Sequence, residues 1–356
     1  MRRTQLQTAV AGWRRRLGVP AAGDTVIVGL SGGADSVALL DALSWVASRD
    51  GRFGVVAAHL DHGLRASSPA DARFCGELCG RLGLRLVSAA ADVERRARRD
   101  RLGVEAAARA ERYAFLESAR RQEKATFVAT AHTLDDQAET FLLRLLRGAG
   151  GTGLSAMRPR VGHLLRPLLG VTRGQVIEHL RERRLAWRED ASNRDAAFLR
   201  NRVRHELIPF IEARFNPNLK RVLARTADLM AEDTAILAVT ARELFHALAS
   251  PREHGLALDR AALNAAPPAL ARLAVREALL ATGGLTGVGA FHVDRLVEVA
   301  RRPASGVRRL ALPGQREALI GARYVLLGRR GSPSAPAAGQ RVPGAVLEAA
   351  AAAGPA

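Results

Sequence analysis

Three short polar stretches carry the side chains best suited to chemistry. In "SGGADS", the residues Ser31, Gly32, Gly33, Ala34, Asp35 and Ser36 combine unhindered backbone N–H groups with two hydroxyls and one carboxylate. The first N–H groups of a helix lack internal partners and the helix dipole favours an anion there, so a glycine-rich loop opening a helix is suited to phosphate. Asp35 could hold a magnesium ion bridging the phosphate oxygens. The loop has no lysine of the G-x-x-x-x-G-K-[ST] kind, which argues against a motor-type nucleotide triphosphatase. In "HTLDDQAET", Asp136 and Glu139 are three residues apart at a helix start and share a face where two carboxylates can receive an ammonium. Thr133 and Asp136 form a capping box there, and His132 stands at the end of the preceding strand. In "EAAARAERY", Arg109 and Arg112 share a helical face and can neutralise phosphate charge as a bond breaks. Residues 200–225 hold seven Lys or Arg against two Asp or Glu, with Arg200, Arg202 and Arg204 beside Asn201 and His205, a density suited to a phosphate backbone or a substrate phosphate.

Strand-like runs recur at "TVIVGL" (25–30), "FGVVAAHL" (53–60), "LRLVSAA" (84–90) and "ATFVATAH" (125–132), with helical patterns between them. This βαβ alternation predicts an α/β fold with a doubly wound parallel sheet, whose ligands sit beyond the C-terminal strand ends. "SGGADS", "HTLDDQAET" and "HLDHGLR", which holds His59 and Asp61, all fall at that edge. From Thr172, a plausible N-cap, the pattern becomes helical, with helices expected over 218–249, 257–282 and 288–302 and a closing hairpin-like piece, "VRRLALPGQREALIGARYVLLGRR". The expected organisation is a catalytic domain over 1–217, a second, mainly helical domain over 218–331, and a disordered Ala/Pro-rich tail over 332–356.

The chain of 356 residues carries 54 basic against 35 acidic side chains, a net charge of +19 that makes a polyanion the natural partner. Arginine bias from a GC-rich genome explains why Lys124 and Lys220 are the lysines, but it does not by itself create a net excess. No apolar run reaches membrane-spanning length, and the Arg-rich start, "MRRTQLQTAVAGWRRRL", reads as an amphipathic first helix of a cytoplasmic protein with no membrane partner. Cys75 and Cys79, four apart on a helix, are expected to be half-buried packing residues, too few for a four-ligand zinc site or a cysteine-held iron–sulfur cluster.

"SGGADS" matches every fixed position of the S-G-G-x-D-S loop and so resembles the PP-loop ATP pyrophosphatases, with their adenine nucleotide alpha-hydrolase-like fold. "HLDHGLRASSPAD", "GVEAAARAERYAF", "TAHTLDDQAETFLLRLLRGAGGTGLSAM", "RPLL" and "DASNRDAAFLRNRVRHELIP" then resemble, in order, the motifs of the tRNA(Ile)-lysidine synthase family. The resemblance implies an enzyme that uses ATP and Mg2+ to adenylate the C2 carbonyl oxygen of the wobble cytidine in tRNA(Ile) with a CAU anticodon. The ε-amine of L-lysine then displaces AMP, and decoding changes from AUG to AUA. It implies catalytic roles for Asp35, Arg112, His132, Asp136, Glu139 and Arg204. Nucleotide contacts would come from Ser31 to Ser36 with His59 and Asp61, metal binding from Asp35, and substrate contacts from Arg109, Asp136, Glu139, Arg200 and Arg202. Lysine must attack as a neutral amine although its reference pKa is about 10.4. His132 or one of the carboxylates could take the proton.

Larger family members carry an additional C-terminal β-rich domain, so a shorter two-domain architecture is implied, and a homodimer is left open. The rival readings are a PP-loop tRNA thiolase, for which Cys75 and Cys79 alone are poor equipment, and a non-catalytic RNA-binding protein, against which Asp35, Asp136 and Glu139 stand intact. Binding of tRNA by such a basic chain should be steeply salt-dependent: with about four to six phosphate contacts, log K should fall against log salt with a slope of roughly −3 to −5. A flat dependence, measured by filter binding, would assign the arginines to genome bias.

Overall fold

The computed structural model describes residues 3–61, 68–188, 199–253, 255–303 and 306–330. Parts of the "HLDHGLRASSPAD" and "DASNRDAAFLRNRVRHELIP" motifs and the expected tail over 332–356 lie outside the described residues. Two compact units divide the chain, one comprising Met1–Gly148 with Leu154–Asp228, the other Ala149–Gly153 with Leu229–Ala356.

The first unit begins with α1 (Gln5–Leu17), β1 (Thr25–Gly29), α2 (Ala34–Val46), β2 (Gly54–Asp61), α3 (Ser68–Leu82) and β3 (Arg85–Ala90). It continues through α4 (Val93–Asp100), α5 (Val104–Gln122), β4 (Phe127–Ala129), α6 (Leu134–Leu145) and α7 (Gly151–Leu154), the last of which straddles the division. Two short strands, β5 (Arg160–Val161) and β6 (Leu164–Leu165), precede α8 (Arg173–Glu182), α9 (Leu199–Arg202) and α10 (Ile208–Arg214). The strand order is β3-β2-β1-β4-β6-β5, parallel throughout except for the β5–β6 pair. The four expected strands are all present, while β5 and β6 are too short to carry a periodic signal.

The doubly wound form follows from β1, whose Val26, Ile27 and Val28 have no exposed surface. Successive side chains on a strand point to opposite faces. Val26 and Val28 therefore enter a core with Leu6, Val10, Leu39, Leu43, Val176 and Leu180, from α1, α2 and α8. Ile27 enters the other core, with Leu116 and Ala119 of α5. The chain order reverses between β1 and β4, which makes their C-terminal edge the crevice of the sheet.

A buried polar network ties α1, α2 and α8 together. The Thr4 hydroxyl accepts the Gln7 N–H to cap α1 and has its own proton to donate to His179 Nδ1, 2.8 Å away. His179 Nε2 then faces Asp41 Oδ2 at 3.1 Å, and Arg183 reaches the same carboxylate at 3.0 Å. Burial alone would raise the Asp41 pKa, but hydrogen bonds from His179 and Arg183 override it and hold the carboxyl below its ordinary value.

The second unit centres on α11 (Leu219–Leu248), which runs unbroken through the expected boundary at 217/218; the units divide within it. It is followed by β7 (Ala249–Arg252), β8 (Gly255–Asp259), α12 (Arg260–Ala265), α13 (Pro268–Ala281), α14 (Ala290–Arg301), β9 (Arg308–Leu312), β10 (Arg316–Ile320) and β11 (Tyr324–Arg329). The single helix expected over 257–282 is corrected to a strand and two helices. "GLALD" alternates as a strand with Leu256 and Leu258 buried, Asp259 caps α12, and Pro267 and Pro268 end one helix and start the next. The hairpin-like piece becomes three strands of a five-stranded antiparallel sheet, ordered β7-β8-β11-β10-β9, packed with the helices through Leu256, Leu258, Val275, Leu279 and Leu296.

Replacing Asp41 with Asn should destabilise the first unit by about 3 kcal/mol, because it leaves a mostly buried guanidinium without its counter-charge. Urea unfolding followed by tryptophan fluorescence reads this unit selectively, since Trp13, Trp45 and Trp187 all lie in it. A carboxyl with a lowered folded pKa stabilises above its ordinary range and loses that contribution as pH falls. The gap between wild type and variant should therefore close below about pH 4. Equal stability at neutral pH would refute the role given to this network.

Candidate active site

Three segments meet at the β1/β4 edge. The loop after β1 turns at Gly32, whose φ of 83° favours glycine and whose added Cβ would meet Phe74 at 3.4 Å. Gly33 caps α2 with no side-chain bond, so its first N–H groups are open to an anion. The hydroxyls brace the loop from inside: Ser36 Oγ donates to Gly33 O at 2.8 Å, accepts Ser31 N–H at 3.2 Å, and lies 3.2 Å from Ser31 Oγ. Ala34 and Ser36 are buried, while Asp35 stays partly exposed at the loop's rim. His59 supports the loop from below, buried, with Nδ1 2.9 Å from Leu30 O and 3.5 Å from Cys75 Sγ. Asp61 stands at the end of β2.

The second segment is the start of α6. Asp136 Oδ2 accepts from Thr133 N at 2.8 Å and from its hydroxyl at 3.0 Å, the expected capping box. Gln137 clamps Met157 through two bonds of 2.9 Å and fixes the helix against the following loop. Glu139 is 1% exposed. His132 lies between β4 and α6, its Nδ1 3.0 Å from Thr130 Oγ1. Burial, together with the cations Arg109, Arg166 and Arg200 and against the pull of Asp136, pushes its pKa down to about 4.

The third segment brings the arginines. The α9 helix continues through a π-helical turn, Val203–Leu207, into α10, and such turns recur at functional sites. Arg200 Nε reaches Glu139 and its Nη2 reaches Asp136, each at 2.8 Å. Arg204 binds Glu139 through Nε and Nη2 and approaches Asp136 at 3.5 Å. Burial would raise the Asp136 pKa, but His132, Arg200, the Thr133 N–H and Arg204 hold it below its ordinary value. The carboxylate pair read as an ammonium site is thus occupied by two guanidinium groups. Arg202, the third of this stretch, is exposed.

A further tier was not legible. Arg173, at the start of α8, binds Asp35 at 2.6 Å through its side chain and Asp135 at 2.9 Å through its backbone N–H. Lys220 holds the other Asp135 oxygen at 2.9 Å. Burial raises the Asp35 carboxyl above its ordinary value, with Arg173 opposing. Only the "RPLL" stretch pointed towards Arg166, and nothing local marked Arg173. Among the described residues no cluster of three His, Cys, Asp or Glu forms a metal site. Asp35, partly exposed at the rim of the phosphate loop, has the chemistry of a carboxylate that can share a magnesium ion with substrate phosphates. The cysteines are fully buried rather than half-buried, and burial pushes the thiols up to about 12 for Cys75 and about 11 for Cys79, the reverse of a reactive thiolate.

An anion-ready loop, a carboxylate-bearing helix start and a doubly wound parallel sheet together define a PP-loop domain, and a profile of the PP-loop domain family matches residues 6–211. The chain is 44% identical over 279 residues to the tRNA(Ile)-lysidine synthase of Geobacter sulfurreducens, covering 77% of this chain and 59% of that protein. It is 39% identical over 316 residues to the tRNA(Ile)-lysidine synthase of Thermobifida fusca, covering 87% and 93%. It belongs to the tRNA(Ile)-lysidine synthase family. The chain spans 51% to 65% of the length of several curated relatives that it matches. The solved U34-tRNA thiolase NcsA from Methanococcus maripaludis, with its [4Fe-4S] cluster, superposes with a TM-score of 0.55 at 16% identity, over 64% of this chain and 79% of that one; the likeness is one of fold.

In the ligand-free protein the His132 ring should stay neutral down to about pH 4. A histidine-ring NMR titration checks this, with His132→Gln to assign the signal. A midpoint near the ordinary value of about 6.5 would show that burial and the neighbouring cations do not act on the ring.

Proposed function

We propose that this chain ligates L-lysine to C2 of the wobble cytidine of tRNA(Ile) bearing a CAU anticodon, with ATP as the activating substrate. The observation that carries this reading is the placement of an open helix N-terminus, at Gly33, beside a helix start with two buried or half-buried carboxylates, Asp136 and Glu139. One feature suits a polyphosphate and the other suits an ammonium. The family membership supplies the reaction that needs both.

In the first half-reaction the cytidine O2 attacks the α-phosphorus of ATP, the bond to the β-phosphate oxygen breaks, and pyrophosphate leaves. The Ser31–Ser36 loop holds phosphate through its backbone N–H groups, while His59 steadies Leu30 below it. Bound Mg2+, held by Asp35 and the phosphates, would supply charge neutralisation there. Arg112 and Arg204 would neutralise charge that develops on the phosphoryl oxygens. In the second half-reaction the lysine ε-nitrogen attacks C2, the bond from C2 to the adenylated oxygen breaks, AMP leaves, and a proton departs from nitrogen. Asp136 and Glu139 receive the substrate ammonium in exchange for Arg200 and Arg204, which are then free to follow the phosphates.

The low pKa of His132 refines the choice of base. At neutral pH the ring is free to accept a proton but has little affinity for one, since it is buried and three cations face it. A substrate anion bound among those cations would offset their charge and strengthen the base. Base strength would then depend on substrate occupancy.

Labelled lysine should enter tRNA transcripts with a CAU anticodon and not those with another anticodon; equal incorporation, or none, removes the assignment. Asp35→Ala, folded by circular dichroism, should abolish pyrophosphate release. Glu139→Gln should still release pyrophosphate but raise the apparent KM for lysine by about tenfold or more, because an amide cannot replace a charge-assisted bond. The reverse pattern would place Glu139 in the nucleotide half of the site.

A further inference from the structure

Arg166 follows β6 immediately, and its surroundings are unusual for a cation. It is 8% exposed, its Nη1 donates to Arg158 O at 2.8 Å, and its buried Nε has no hydrogen-bond partner. Its guanidinium lies near enough to the Tyr113 hydroxyl to interact with it electrostatically. Arg109 donates to that same hydroxyl at 3.3 Å and stacks over the Tyr113 ring, 5.0 Å from its centre. A phenol oxygen that accepts from a guanidinium group keeps its own proton to donate. Three donors therefore converge without an acceptor: the Tyr113 O–H, the Arg166 Nε–H and the remaining N–H groups of Arg109.

Charge points the same way. Among the described residues Arg109, Arg112 and Arg166 have no carboxylate partner, whereas Arg173, Arg183, Arg188, Arg200 and Arg204 are all paired. Burial, with like-charged neighbours behind it, holds the Arg144 and Arg166 guanidinium groups below their ordinary pKa, against the opposing effect of Tyr113 on Arg166. Position then separates this anion from the triphosphate. The phosphate loop follows β1, and β6 lies two strands away across β4. At the usual strand spacing the two backbones stand about 10 Å apart, which leaves room for a second anion beside the triphosphate.

We propose that Arg109, Tyr113 and Arg166 form an anion subsite that grips a phosphodiester of the RNA substrate beside the nucleotide being modified. The inference rests on the tRNA reading above. A phosphodiester has two non-bridging oxygens, which match two guanidinium groups and a phenol proton. The subsite fixes the register of the RNA strand in the crevice, so that the base next to the held phosphate faces the loop after β1.

The test uses Arg166→Gln and Tyr113→Phe in the full chain, with anticodon stem-loop RNAs in which single linkages near the wobble nucleotide are neutral methylphosphonates. Binding is read by fluorescence anisotropy, independently of lysine transfer, so a failure of the lysine reading would not hide the result. At one linkage the wild type should lose about tenfold in affinity, while Arg166→Gln should lose about tenfold on the normal RNA and be indifferent to that methylphosphonate. Its salt slope should be shallower by about 0.7, and its KM for ATP should move by less than about twofold. Tyr113→Phe, which removes only the hydroxyl, should follow with a smaller loss at the same linkage. The proposal is overturned if both variants, folded by circular dichroism, bind the normal RNA with wild-type affinity and slope. It is also overturned if their defect appears in ATP affinity or in inhibition by pyrophosphate, which would give the subsite to the nucleotide.

Discussion

The parallel pairing of β1 with β4 places Val26 opposite Phe127, Ile27 opposite Val128 and Val28 opposite Ala129, and the geometry of the site depends on this register. A slip of one residue would turn Ile27 out of its core and carry every neighbour with it. Because the register holds, α2 and α6 begin side by side with their positive ends facing one crevice. The two helix starts are then used differently. Gly33 leaves the end of α2 open, whereas Asp136 folds back on Thr133 and fills the end of α6 with the protein's own carboxylate. The same backbone geometry thus yields one position for an external anion and one acidic position for a cation.

Glu139 shows what the second position demands. A carboxylate removed from water needs compensation close by, and Arg200 and Arg204 provide it from one face of a helix that includes a π-helical turn. Asp35 and Asp135 are paired in turn with Arg173 and Lys220. Among the described residues Arg109, Arg112 and Arg166 are then left without a carboxylate partner, which gathers positive charge at the crevice. Such an excess favours polyanionic ligands by attraction at the site itself.

The parts of this arrangement legible in the sequence are those set by neighbours along the chain. The SGGADS turn, the Thr133–Asp136 box and the common face of Asp136 and Glu139 are matters of local geometry, and so were the four parallel strands β1 to β4 of the first sheet. What escaped was settled by contacts between distant segments. Arg173 meets Asp35 across 138 positions, Arg204 meets Glu139 across 65, and the Thr4–His179–Asp41 network joins three helices. No periodicity encodes such meetings. In the second unit the error had another source: alanine and leucine dominate residues 256–281, and their helical propensity masked both the alternation in "GLALD" and the break at Pro267 and Pro268.

Placing arginine rather than lysine on Asp136 and Glu139 has a chemical consequence. In the proposed reaction the crevice holds an electrophilic carbon awaiting an amine. A protein-borne lysine at position 200 or 204 would bring an amine of the same kind as the substrate's, tethered at high local concentration and able to attack in its place. Guanidinium remains protonated at every accessible pH and has no lone pair to offer. Arg200 and Arg204 can therefore carry positive charge into contact with the reactants without competing as nucleophiles.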